Sequence, residues 1–116
     1  MTTTESRTLS VSIERPLSVV YEFLAAPSNF ARWAKGLDLD QDVRFAERNR
    51  FGVADHSVFL PDGREVYVPL RAIRNGSGAE VLLTLLRGPE MTDEEMDRDA
   101  RLMQQDLLAL KRVIES

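Results

Sequence analysis

Cysteine is absent from the chain, which excludes disulfides and thiolate metal sites and makes a reducing cytoplasm the expected setting. Histidine occurs once, at His56, so any imidazole chemistry rests on that residue alone. The first eight residues contain no apolar leader core, and no hydrophobic run approaches the length of a membrane span. Basic residues interleaved with aromatics are missing too, which argues against nucleic-acid binding. What is present is ordinary: 116 residues, 43% hydrophobic and 29% charged, enough for one core and one domain. The net charge of −4 lies at one end. Residues 1–89 carry 11 basic and 11 acidic side chains, whereas residues 90–116 carry 4 and 8.

Two turn sequences organise the middle of the chain. Leu60-Pro61-Asp62-Gly63-Arg64 and Arg74-Asn75-Gly76-Ser77-Gly78-Ala79 combine a preset proline φ, self-capping Asp or Asn, and glycine for positive φ. A three-residue Pro-Asp-Gly loop pairs Leu60 with Arg64, so His56 faces Val68, Val58 faces Val66 and Ala54 faces Leu70. A four-residue loop pairing Arg74 with Ala79 sets Leu70 opposite Leu83 and Val68 opposite Leu85. Both registers then place Ala54, His56, Val58, Val66, Val68, Leu70, Ala72, Val81, Leu83 and Leu85 on one face. A slip of one residue would bury Tyr67, Pro69 and Arg71 instead.

Around this unit the pattern predicts an α+β chain. Residues 1–7 read as a disordered polar tail and 8–116 as a single domain. Alternation over Thr8–Glu14 predicts a strand. Pro16 opens a helix carrying Val19, Val20, Phe23 and Leu24 and stopping at Pro27. Ser28 is placed to cap a second short helix over Asn29–Lys35, with Phe30 and Trp33 inward and Gly36 as its stop. Val43–Glu47 reads as one charged strand. Asp38, Asp40 and Asp42 alternate like calcium-loop ligands, but Val43 and Asn49 stand where such a loop needs glycine and glutamate. No metal or cofactor is therefore expected. After Gly88-Pro89, Thr92 and Glu95 form a capping-box pattern. Met96, Ala100, Met103, Leu107, Leu110 and Ile114 then make the stripe of a long helix.

In this order the segments Val11–Pro16, Tyr21–Leu24, Phe30–Trp33, Phe51–His56, Val66–Pro69 and the final helix resemble the START-like (SRPBCC) superfamily. The resemblance is to its polyketide cyclase/dehydrase and lipid-transport branch and covers most of residues 8–115. It implies a helix-grip fold, an antiparallel sheet wrapped on the C-terminal helix, with an apolar cavity between them. Relatives have seven strands and about five are legible here, so about one hairpin is missing after Trp33. That leaves Val43–Glu47 as a free edge, with Asp42, Arg44, Glu47, Arg48 and Arg50 to blunt it. The outer face collects Val53, Phe59, Tyr67, Ile73, Leu82 and Leu86, and a homodimer through this face or the free edge is expected.

The function implied by the resemblance is binding of a small apolar molecule such as a lipid or polyketide. The candidate site residues are Trp33, His56, Val68, Leu83, Leu85, Met96, Ala100 and Met103. The plain reading of His56 is a core histidine satisfied by a carbonyl or water. The functional reading is a polar anchor in an apolar pocket. A cyclase- or dehydratase-like enzyme would use His56 as acid–base, yet Asp55 points to the other face and no dyad is visible. A third reading is a dimeric interaction module whose shortened sheet leaves no cavity.

Overall fold

The turns set the registers that their residues demand. The structure, a computed structural model, describes residues 2–35 and 42–116. It runs β1 (Ser6–Ile13), α1 (Leu17–Ala25), a 3-10 turn (Pro27–Asn29), α2 (Phe30–Trp33), β2 (Asp42–Phe45), β3 (His56–Phe59), β4 (Glu65–Val68), β5 (Leu70–Asn75), β6 (Gly78–Leu86) and α3 (Asp93–Glu115). At the first turn the Leu60 amide donates to the Arg64 carbonyl at 2.9 Å, and Gly63 takes a φ of 90°. His56 then lies opposite Val68 and Val58 opposite Val66. At the second, Leu70 pairs with Leu83 and Arg74 with Ala79. One further pair, Asn75 with Gly78, tightens the loop to Gly76-Ser77, with Gly76 at a φ of 59°.

The long middle strand is broken at Pro69. Proline has no N–H to continue a ladder, and although its carbonyl still accepts from Thr84 N at 3.0 Å, β4 does not pair with β6. Val68 and Leu85 are therefore not ladder partners. Among the described residues the break yields six strands in two antiparallel sheets, ordered β1-β6-β5 and β2-β3-β4. Residues just before β3 join the sheets: Ala54 N donates to Leu70 O at 2.8 Å and Ala72 N to Gly52 O at 2.9 Å.

Helix α3 lies against β1 and β6. The capping box is formed, with Glu95 N donating to Thr92 Oγ1 at 3.1 Å and Thr92 N to Glu95 Oε1 at 3.0 Å. Leu107 and Leu110 are fully buried with Val20, Leu24, Leu70 and Val81. The same helix satisfies the outer edge of β1. Lys111 Nζ donates to Ser12 O at 2.7 Å, and Glu115 Oε2 accepts from Glu14 N at 2.8 Å. A strand edge is thereby covered rather than left open to pairing.

Three local readings are corrected. The segment read as a tail is held from Thr4 onward: Ser6 pairs with Leu86, Arg87 N donates to Glu5 O, and Thr4 Oγ1 donates to Arg87 O. Polar composition hid a strand whose outward face is simply wet. Ser28 caps nothing; it lies within the 3-10 turn that Pro27 opens. The charged strand starts and ends earlier than its alternation suggested, because Asn49 ties up the next segment. Its Oδ1 accepts from Phe51 N and Val53 N, while Nδ2 donates to Val53 O. Gly36, Asp38 and Asp40 lie outside the described residues; Asp42 opens β2 and pairs with Arg44.

Gly52 sits where the sheets join, at a φ of 76°, and a Cβ there would stand 2.1 Å from the Ala72 carbonyl oxygen. Gly52→Ala is expected to cost about 2 kcal/mol or more. Urea unfolding checks this, with Gly76→Ala, which meets no neighbour, as the milder comparison.

Candidate functional site

Where β4 departs from β6, the sheets diverge and α3 does not fill the gap. A cavity of about 630 Å³ results, walled by α2, β3, β4, β6 and α3. Six of the eight expected residues border it: Trp33, His56, Val68, Leu83, Leu85 and Met103. The volume is that of a small-molecule pocket. The open side carries Val66 and Leu102, which are 41% and 38% exposed.

Met96 and Ala100 are not part of this lining. Helix α3 lies along β1, so its apolar stripe is spent on the core and Met96 is completely buried. The cavity receives the flank one residue earlier, namely Glu95, Asp99, Leu102 and Asp106, alongside Met103. Apolar periodicity finds the centre of a helix face and misses a mixed flank. Arg87 turns to the helix start instead, donating to Asp93 Oδ1 at 2.6 Å, Glu5 Oε1 at 2.9 Å and the Met91 carbonyl.

His56 faces inward and is 3% exposed. Its ring lies between Phe30, edge-on at 5.0 Å, and Phe45, tilted at 4.8 Å. Nδ1 lies 3.3 Å from the Ala54 carbonyl. A carbonyl only accepts, so Nδ1 carries the proton and Nε2 the free lone pair. Burial holds the imidazole pKa below its ordinary 6.5, against the opposing pull of the Ala54 carbonyl and Asp55.

The opposite face holds a cluster that alternation placed outward without uniting. The Asp55 carboxylate accepts from Arg71 Nε at 2.9 Å, Arg71 Nη2 at 2.8 Å, Leu70 N at 2.9 Å and the Tyr67 hydroxyl. The Arg71 hydrogen bonds, helped by those of Tyr67 and Leu70 N, pull its pKa down to about 2 despite its burial. The available signal was an acid, a base and a tyrosine on one face of neighbouring strands. All three side chains are committed to one another, so the cluster is a strut. Among the described residues, no group of three acidic or histidine side chains could hold a metal ion.

No family model matches the chain, and no curated protein matches it in sequence. Solved structures do. Protein MLL2253 from Mesorhizobium loti superposes with a TM-score of 0.74 at 11% identity, over 95% of this chain and 96% of that one. ChR145 from Cytophaga hutchinsonii gives 0.73 at 17% identity, over 99% and 97%. DynU16, a protein of the dynemicin biosynthetic locus, gives 0.67 at 14% identity, with 96% of this chain covering 47% of DynU16. At these identities the likeness shows a shared α+β fold and no shared chemistry. Among the described residues, no helix is long and apolar enough to cross a membrane.

Asp55 and His56, both buried, should make the fold acid-sensitive in separate windows. The depressed Asp55 pKa gives stability that is present above its ordinary 3.8 and lost as pH falls through about 2. Asp55→Asn should cost about 2 kcal/mol at neutral pH and flatten that part of the stability curve, read by denaturant midpoints across pH. Burial lowers the His56 pKa on folding, so stability should begin to fall as pH drops below the ordinary 6.5, and His56→Phe should remove that dependence.

Proposed function

We propose that this chain is a shortened START-like helix-grip domain that binds a small apolar molecule between α3 and the diverging sheets. The cavity carries this reading: about 630 Å³, floored by Val58, Val68, Leu83 and Leu85 and closed at one end by Phe30 and Trp33. A well-packed core of this size leaves few voids larger than a water, so a hollow this large is a feature that a ligand would explain. The fold likeness to a protein from a biosynthetic locus is in keeping with small-molecule binding in general and names no ligand. The cavity lies within one chain, so uptake needs no second copy. Homodimer formation through the outer face is a separate proposal, supported by Ile73 and Tyr67, which are about half exposed.

A cyclase- or dehydratase-like role for His56 has weaker support. The imidazole is fixed by a main-chain carbonyl, and the carboxylate next to it in sequence, Asp55, is consumed on the other face. A general base of this kind needs a second group to orient it or to meet developing charge.

Native mass spectrometry of the purified protein, followed by denaturing extraction, tests the binding reading. The expected result is a co-purified apolar molecule, or uptake from a mixture of lipids and polyketides. Leu83→Trp and Met103→Trp should fill the cavity and abolish uptake while the circular dichroism spectrum stays native. Undiminished uptake by both variants would place any ligand elsewhere and sink the proposal.

A further inference from the structure

Two buried side chains bring polar atoms to the cavity wall, the His56 imidazole and the Trp33 indole, and the imidazole narrows the ligand class. This inference rests on the binding reading above. Nδ1 of His56 is used by the Ala54 carbonyl, and no other hydrogen bond reaches the ring among the described residues. Among those residues, no side-chain nitrogen or oxygen sealed from solvent lacks a partner. Nε2, having no partner, is therefore not sealed. The ring borders the cavity beside Phe30 and a second hollow beside Phe45, and Nε2 is assigned to the first of these. The Nδ1–H tautomer makes Nε2 an acceptor and not a donor. A buried acceptor among the aromatic rings is a strong selector, because a molecule without a donor leaves it unpaired and desolvated.

The rim selects as well. Glu65, Glu90, Glu95, Asp99 and Asp106 border the cavity on its polar side. Among the described residues the bordering cations are Arg64, paired with Asp62, and Arg87, paired with Glu5 and Asp93. Of the acids, Glu95 accepts from Thr92 N, Asp99 pairs with Arg98 and Asp106 accepts from Lys35 N, and the rim keeps an acidic excess. A carboxylate would meet like charge at the mouth and another acceptor at His56 Nε2.

We infer that the cavity takes uncharged apolar molecules bearing a hydroxyl, phenolic or alcoholic, which donates to His56 Nε2, and that it rejects carboxylates such as fatty acids. A phenol and its methyl ether share a ring system and differ in the one proton that matters. The specificity therefore lies in hydrogen-bond polarity as much as in shape.

The test compares 2-naphthol, 2-methoxynaphthalene and 2-naphthoate at pH 7.5, by amide chemical-shift titration of the full chain. Wild type should bind 2-naphthol about tenfold more tightly than the ether, and 2-naphthoate most weakly. The single imidazole should show a protonated Nδ1 and a bare Nε2 by nitrogen NMR, and its Nε2 resonance should shift with 2-naphthol only. His56→Phe, which keeps a ring between Phe30 and Phe45, should bind both neutral probes equally. Equal binding of the neutral probes by wild type, or a preference that survives His56→Phe, overturns the hydroxyl inference and leaves the cavity reading standing. Tightest binding of 2-naphthoate overturns the inference in the same way. Binding of none of the three overturns the cavity reading and this inference with it.

Discussion

The fold depends on one missing N–H. Pro69 interrupts a strand that would otherwise run unbroken from Glu65 to Asn75, and everything distinctive follows from how the interruption is held. The amide immediately after it, Leu70 N, donates to the Asp55 carboxylate, which also binds Arg71 and Tyr67 on either side of the break. The ladder thus fails at one residue without unravelling, and β4 leaves β6 at a fixed angle. A continuous sheet would bring Val68 across from Leu85. The broken one leaves both on the wall of a hollow.

The same joint separates two chemistries that adjacent residues would otherwise mix. Asp55 and His56 are neighbours, but strand alternation sends their side chains to opposite faces. The carboxylate is saturated by donors on one side. The imidazole, on the other, points its Nδ1 at the Ala54 carbonyl, and burial among aromatic rings lowers its pKa. Asp55 and His56 therefore form no dyad with each other, for a geometric reason.

Much of this was legible from local rules. Gly63 and Gly76 and their flanking turn residues determine registers that place His56, Val68 and Leu83 correctly, because period-2 alternation leaves no neighbouring solution. Trp33 was legible from its position in a short helix after a proline stop. The facing of α3 was not: a stripe such as Met96, Ala100 and Met103 says which side is apolar but not which neighbour it meets. Nor was the Asp55 strut, since Asp55 and Arg71 are sixteen residues apart and their meeting depends on the break at Pro69. Asn49, which organises the loop before β3 through four side-chain hydrogen bonds to the backbone, entered the sequence reading only as a misfit to a calcium loop.

The seating of β1 between β6 and α3 bears on how the chain folds. Its pairs run from Ser6 with Leu86 to Ile13 with Ala79, and its outer edge is satisfied from Lys111 and Glu115. Every such contact closes a loop of more than sixty residues, and that entropy is lost before any contact energy returns. The β5–β6 hairpin closes through two residues. Such a topology orders its middle first and its first strand late, and it folds on the slower side for a domain of this size.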